Sequence, residues 1–260
     1  MLHISKPVGD LLREWRVRRR MSQLDLACEA DISTRHLSFV ETGRSQPSRE
    51  MLLRLAEQLD IPLRNQNEIL VAAGYAPVFP QTPLADPAMQ AVRAAMDQVL
   101  AGHEPYPALA IDRHWTLVAA NAAVGRLLEG VDPALLEPPV NVLRLGLHPN
   151  GLAPRTVNLA QWRAHLLHRL HRQIDVTADP VLGALMHELR GYPAPPAGPA
   201  TKPDHAGLVV PLQLRMPQGL LSLFSTTMVF GTSVDVTVSE LTLETIFPAD
   251  AASAEMLRAL

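Results

Sequence analysis

Thr34, Arg35, Ser38 and Phe39 share one arc when this stretch is projected as a helix at ~100° per residue, with Leu37 and Val40 on the opposite side. Two hydroxyls and a guanidinium on an outer face suit the reading of hydrogen-bonding edges, and they equally suit ordinary solvation. A second pattern is the triplet His165, His168 and His171, whose spacing lets helix neighbours share a metal ion. It is interleaved with Arg163, Arg169 and Arg172, whose charge opposes a bound cation, and no cysteine or acid completes a ligand set. That stripe is read as a solvated basic face or a subunit contact. The chain has only two lysines, Lys6 and Lys202, and Lys202 lies in a Pro-rich stretch, so a Ser–Lys self-cleaving site has no suitable base. A phosphate-binding glycine loop, a metalloprotease helix and a nucleophile elbow are also missing from the sequence. These observations predict a chain that is not an enzyme, with no metal and no cofactor. Cys28, the single cysteine, excludes an internal disulfide and reads as an inert packing residue.

The elements that would hold the first arc are legible around it. Ser22 is an N-cap with Asp25 three residues on, and Leu24, Leu26, Ala27 and Ala30 give that helix a packing side. Asp31 stands where the turn needs a left-handed residue, Ile32 plugs the core and Ser33 caps the next helix. Gly43 offers a left-handed stop and Pro47 blocks continuation. Ser48 then caps a helix over 51–59, and another runs from Leu63 to Ala73 and ends at Gly74. Residues 1–49 carry nine Lys or Arg against six Asp or Glu, four of the nine between Arg16 and Arg20. So modest an excess favours two copies acting together on a polyanion over one copy alone.

Gln23, Leu26-Ala27, Ile32-Ser33, Leu37, Glu41-x-Gly43-Arg44 and Pro47-Ser48 resemble the helix-turn-helix of the phage-repressor and Cro class, the XRE family, over about Val8–Leu59. Asp31 departs from the usual glycine of that turn. The resemblance implies a second helix seated in the major groove of double-stranded DNA. Carried across, it makes Gln23 a phosphate anchor and Thr34, Arg35 and Ser38 base readers. The planar fork of Arg35 matches O6 and N7 of a guanine, worth ~1–3 kcal/mol of discrimination. Phe39 is placed to press a thymine methyl or to fill the core edge, and His36 and Arg44 are candidate backbone contacts.

Tyr75–Pro87 carries Pro77, Pro80, Pro83 and Pro87 and reads as a stiff connector, after which 88–100 is again helical. Pro107–Asn121 reads as a β-hairpin around Asp112-Arg113-His114, followed by helices over 122–129, 158–174 and 180–189. A Pro-rich loop over 192–203 precedes strand-like runs at 207–215, 220–229 and 239–247, with a turn at Met216–Gly219. Two strands, several helices and three strands are similar to the PAS fold. The expected fold class is therefore multi-domain: an all-α helix-turn-helix bundle, then a PAS-like antiparallel sheet covered by helices. Domain boundaries are expected at 1–74, 75–87 for the linker, 88–250 for the larger domain and 251–260 for a C-terminal tail.

With the N-terminal motif, the runs HEPYPALAIDRHWTLVAAN and PPVNVLRLGLHPNGLAPRTVNLAQWRAHLLHRL make the chain resemble the MmyB-like transcription regulators along nearly its whole length. The resemblance implies a DNA-binding regulator with a small apolar, fatty-acid-like ligand in the PAS-like domain. Leu109, Ile111, Leu117, Leu143, Leu147, Trp162, Leu166, Leu221, Phe224 and Met228 are candidates for an apolar wall or for plain core. Asn141, Arg144 and His148 recur at helical spacing and, with Asn121, are candidates for its polar end. Asn141 as a helix cap and Arg144 as a surface ion-pair partner are the alternative. A homodimer on an operator is the expected assembly, with the larger domain as a mere dimerisation or protein-interaction module as the rival reading. The chain shows no secretory signal and no apolar run of ~18 residues, so no membrane partner and a cytoplasmic location are expected.

Overall fold

The computed structural model describes residues 6–193, 210–231 and 233–260. Lys202, most of the 192–203 loop and the start of the run expected at 207–215 lie outside the described residues. The N-terminal helices are α1 (Val8–Arg18), α2 (Gln23–Glu29), α3 (Thr34–Glu41), α4 (Arg49–Gln58) and α5 (Leu63–Ala72). There follow α6 (Gln90–Gly102), β1 (Ala108–Ile111), β2 (Leu117–Ala120), α7 (Ala122–Leu127), α8 (Val142–Leu147), α9 (Leu159–Thr177) and α10 (Pro180–Gly191). The last elements are β3 (Leu212–Met216), β4 (Gly219–Val229), α11 (Val236–Ser239), β5 (Thr242–Pro248) and α12 (Ala251–Ala259). Contacts divide the chain into one unit of residues 1–82 with 175–177 and 233–239, and a second holding the remainder.

In the first unit the local signals act as their chemistry predicts. Ser22 and Asp25 form a reciprocal capping box, Ser33 accepts the His36 N–H, and Ser48 accepts the Met51 N–H. Asp31 takes the left-handed conformation at φ 53°, a position an Asp tolerates, and Gly43 does so at φ 71°. Leu12, Leu26, Leu37, Val40, Leu55 and Leu59 form a fully buried core. Gly9 has a separate role, because a Cβ there would lie 2.5 Å from the Val40 carbonyl oxygen and 2.6 Å from that of Glu41. Glycine thus lets α1 press against the end of α3. Two expectations are corrected: Leu24 is 59% exposed and Cys28 is exposed, so neither packs in this core.

The second unit is built on a five-stranded antiparallel sheet in the order β2-β1-β5-β4-β3. Strand alternation sorts its residues between two faces. Ala108, Ala110 and Leu243 pack with Met96 and Leu100 of α6 on one face. Leu109, paired with Glu244, turns to the other face, where α8 and α9 lie. The expected C-terminal tail is instead a helix. Asp250 caps α12, Leu257 is 2% exposed, and the fully buried Ser253 hydroxyl accepts the Ser222 N–H of β4 at 2.9 Å. No helix among the described residues is long and apolar enough to cross a membrane.

Candidate nucleic-acid interface and ligand cavity

The orientation of α3 is fixed from below by a buried ion pair. Arg16 of α1 donates through Nε and Nη2 to the two Glu41 carboxylate oxygens at 2.6 and 2.8 Å, and through Nη1 to the Met21 carbonyl at 2.8 Å. Burial pushes the Glu41 carboxyl up, but bonds from Arg16 and Gln23 outweigh it and hold the group below the usual range. Gln23 donates Nε2 to Glu41 at 2.7 Å, so its amide is oriented by the same pair. Arg16 is thus consumed by the fold, and Arg19 is likewise bonded to the Leu59 and Asp60 carbonyls at 2.7 Å each. The surface charge left for a polyanion is smaller than the sequence count.

On α3, Leu37 and Val40 are buried and Arg35 is exposed, while Thr34, Ser38 and Phe39 are half-buried. The Arg35 guanidinium lies 5.3 Å from the centre of the Phe39 ring, which steers its fork without consuming its donors. Arg44 is exposed just beyond the helix. His36 is half-buried and its Nε2 atom is enclosed with no hydrogen-bond partner among the described residues, a placement that does not offer this nitrogen to a phosphate.

In the second unit an apolar cavity of about 130 Å³ lies between the sheet and helices α8 and α9. Five of the wall residues anticipated from sequence line it: Leu109, Leu143, Trp162, Leu166 and Phe224. Val142, Gly146, Leu152, Leu212, Leu223, Ser225 and Ile246 complete the wall, together with Trp115, Arg169 and Glu244. Leu147 and Leu221 are core, Met228 is 40% exposed, and Leu117 is half-buried outside the cavity. Trp115 and Arg169 also line a neighbouring polar cavity of about 260 Å³ with Ile111, Asp112, Gln173, Thr227 and Thr242.

The polar end is made by residues that sequence reasoning did not select. Arg169 Nη2 donates to Glu244 Oε1 at 2.5 Å and to the Thr227 hydroxyl at 3.3 Å, and Thr227 donates to the same carboxylate oxygen at 3.0 Å. The guanidinium also lies 5.0 Å from the Trp115 ring centre. Trp115 itself has a left-handed backbone, φ 65°, a conformation costing a bulky residue ~1–3 kcal/mol. Neighbours enforce it: Asp112 accepts the His114 and Thr116 N–H groups, and the Trp115 indole donates to Gln173 at 2.7 Å. A signal for this end was present, since Trp162, Leu166, Arg169 and Gln173 form one stripe along α9 that passes from apolar to polar.

The polar residues expected at the cavity have other partners. Asn141 caps α8 and donates to the His114 carbonyl at 2.9 Å, bracing the Trp115 turn. Arg144 forms a bidentate pair with Glu188 at 2.8 and 2.7 Å, and Glu188 also accepts the Tyr192 hydroxyl at 2.5 Å. Burial and that carboxylate push the Tyr192 phenol up to about 12. His148 meets Tyr192 edge-on at 5.0 Å, and Asn121 clamps the Ala108 N–H and the Leu100 and Tyr106 carbonyls. None of the four lines the cavity. The short α8 turns Asn141 and Arg144 away, and one of its inward positions is Leu143. His165 stacks on Trp162 at 5.3 Å, and burial, then Arg169 and His168, lower its pKa. Among the described residues no group of three or more His, Cys, Asp or Glu is placed to hold a metal ion.

Comparison with known proteins gives two matches to family models. Residues 92–260 match the MmyB-like transcription regulator ligand binding domain, and residues 12–65 match a helix-turn-helix family. No curated protein matches the chain. Among solved structures, the clp gene regulator ClgR from Corynebacterium glutamicum is similar at 24% identity, over 38% of this chain and 90% of that one, with a TM-score of 0.23. An RNA-binding Light-Oxygen-Voltage receptor is similar at 11% identity, over 96% of this chain and 63% of its own length, with a TM-score of 0.28.

Proposed function

The chain belongs to the MmyB-like transcription regulators, DNA-binding proteins with a ligand-binding domain, and from that premise we propose how it works. It binds a specific operator as a homodimer, each α3 entering a major groove, and an apolar ligand with a fatty-acid-like chain in the α8–α9 cavity biases that binding. Arg35, Thr34 and Ser38 read base edges, Phe39 borders them, and Gln23 and Arg44 meet phosphates. The pairing of two heads is supported by the small cationic surface left once Arg16 is bound to Glu41. Its work lies with the operator, in the cytoplasm.

The observation that carries the ligand reading is the cavity's build: an apolar wall with a single cluster of polar groups at one end. About 130 Å³ is close to the ~150 Å³ engineered cavity that takes up benzene, so about six carbons fit directly. The adjoining cavity beside Trp115 and Arg169 gives room for a polar head group beyond the apolar chamber. Mass spectrometry of what the purified protein retains tests this reading: a stoichiometric alkyl-chain compound is expected. Protein that retains none and takes up none on titration would favour the interaction-module reading instead.

A further inference from the structure

Arg169 is the cation at the polar end of the cavity, and it is bound to a carboxylate of the chain itself, Glu244, which is 6% exposed. We propose that this end selects an alkyl ligand with an uncharged head group that both donates and accepts a hydrogen bond. A primary alcohol or a protonated carboxylic acid qualifies, and a carboxylate is rejected. The inference rests on the alkyl-chain reading of the cavity given above and adds the head-group chemistry to it.

Charge and hydrogen-bond supply at Arg169 set this preference. Glu244 takes bonds from both Arg169 and Thr227 on one oxygen, so a head group at Arg169 lies beside an acid that already occupies that guanidinium. A ligand carboxylate there would set two acids on one guanidinium, leaving one negative charge uncompensated in a poorly solvated site, which disfavours the charged form of the ligand. The neighbouring elements add to the bias. Asp112, in the β1–β2 turn, lines the polar cavity with Arg169, so a second acid borders the same space. His165, one turn before Arg169 on α9, is disfavoured as a cation by its burial. Thr227 of β4 and Gln173 of α9 are neutral. A hydroxyl, in contrast, accepts from Arg169 and donates to Glu244, satisfying both without a change of charge.

Calorimetric titration of the full chain with 1-octanol and with octanoic acid, each at pH 5.5 and 7.5, tests the proposal. The alcohol is expected to bind equally at both pH values. The acid should bind about a hundredfold more weakly at pH 7.5, because its neutral fraction falls tenfold per pH unit above its pKa. Glu244→Gln should bring that ratio below about threefold by tightening the acid at pH 7.5. Octanoic acid binding the parent equally at both pH values would overturn the proposal, as would a pH dependence that persists in Glu244→Gln and so belongs to His165. The parent's alcohol-against-acid comparison decides the matter even if the variant does not fold. Failure of both probes to bind, or binding that survives filling the cavity with Gly146→Leu, would instead remove the cavity reading on which the proposal stands.

Discussion

Replacing Gly146 by leucine separates a ligand chamber from a packing defect. Gly146 lines the cavity near the end of α8, and a Cβ there would meet Leu166 Cδ1 at 3.7 Å, an ordinary contact. Four added carbons, each near the ~30 Å³ share of a water molecule, occupy about 120 Å³. The cavity offers about 130 Å³. Their burial contributes up to ~3 kcal/mol at ~0.8 kcal/mol per carbon, and imperfect fit costs ~1–3 kcal/mol. Removing a helical glycine adds a further ~0.8 kcal/mol. The variant is therefore expected to melt at or above the parent temperature. Its ligand loses the burial of about six methylenes, ~5 kcal/mol, which is more than a thousandfold in affinity. Thermal melting and calorimetric titration with an alkyl amphiphile read the two effects separately. Gly146→Ala is the control: the single methyl should stabilise by ~1 kcal/mol, or ~2–4 °C for a unit of this size, with little loss of uptake. A folded Gly146→Leu protein that binds the amphiphile with parental affinity would refute the reasoning.

Other perturbations address the DNA-binding unit and the C-terminal helix. Arg35→Ala should relax base preference at one position per half-site, a loss of ~1–3 kcal/mol of discrimination, and an unchanged selected-sequence logo would contradict it. Glu41→Ala leaves Arg16 buried and unpaired and should cost ~3–5 kcal/mol in denaturant unfolding. Because the folded-state pKa of Glu41 is depressed, its stabilisation is complete above the unfolded value of ~4.3 and is lost as pH falls through the folded one. Acid titration followed by amide exchange in α1 and α3 should show that loss in the parent and not in Glu41→Gln. Leu257→Ala in α12 should destabilise the second unit by ~2–5 kcal/mol, whereas a dispensable tail would tolerate it.

Much of the architecture was legible because its signals are local. Ser22, Ser33, Ser48 and Asp179 announce helix starts through hydrogen bonds to backbone groups two or three residues on, and Asp112 does the same for the hairpin turn. The exposure of Leu24 and Cys28 and the docking of α12 depend on what lies beside them in space. Leu24 and Cys28 are solvent-facing on a short helix whose apolar pattern is too brief to fix a face. The polar end of the cavity was hidden for the same reason. Asn141, Arg144 and His148 have helical spacing, but Glu188 and Tyr192, more than forty residues away, claim Arg144 and His148. Arg169 was grouped with a basic stripe, although its partner Glu244 lies on a strand 75 residues later. Periodicity along α9 could have placed it beside Leu166; only the sheet register could supply the acid.

Under the proposed function, occupancy of the α8–α9 cavity alters how the helix-turn-helix unit binds DNA. Selection from random duplexes with the full chain yields its operator, and titration of that duplex with and without saturating 1-octanol tests the claim directly. A coupling of ~1–3 kcal/mol, a change of about 5–150-fold in DNA affinity, is the predicted result, and Gly146→Leu should abolish it. Equal DNA affinity in the presence and absence of a ligand shown by calorimetry to fill the cavity would contradict the account.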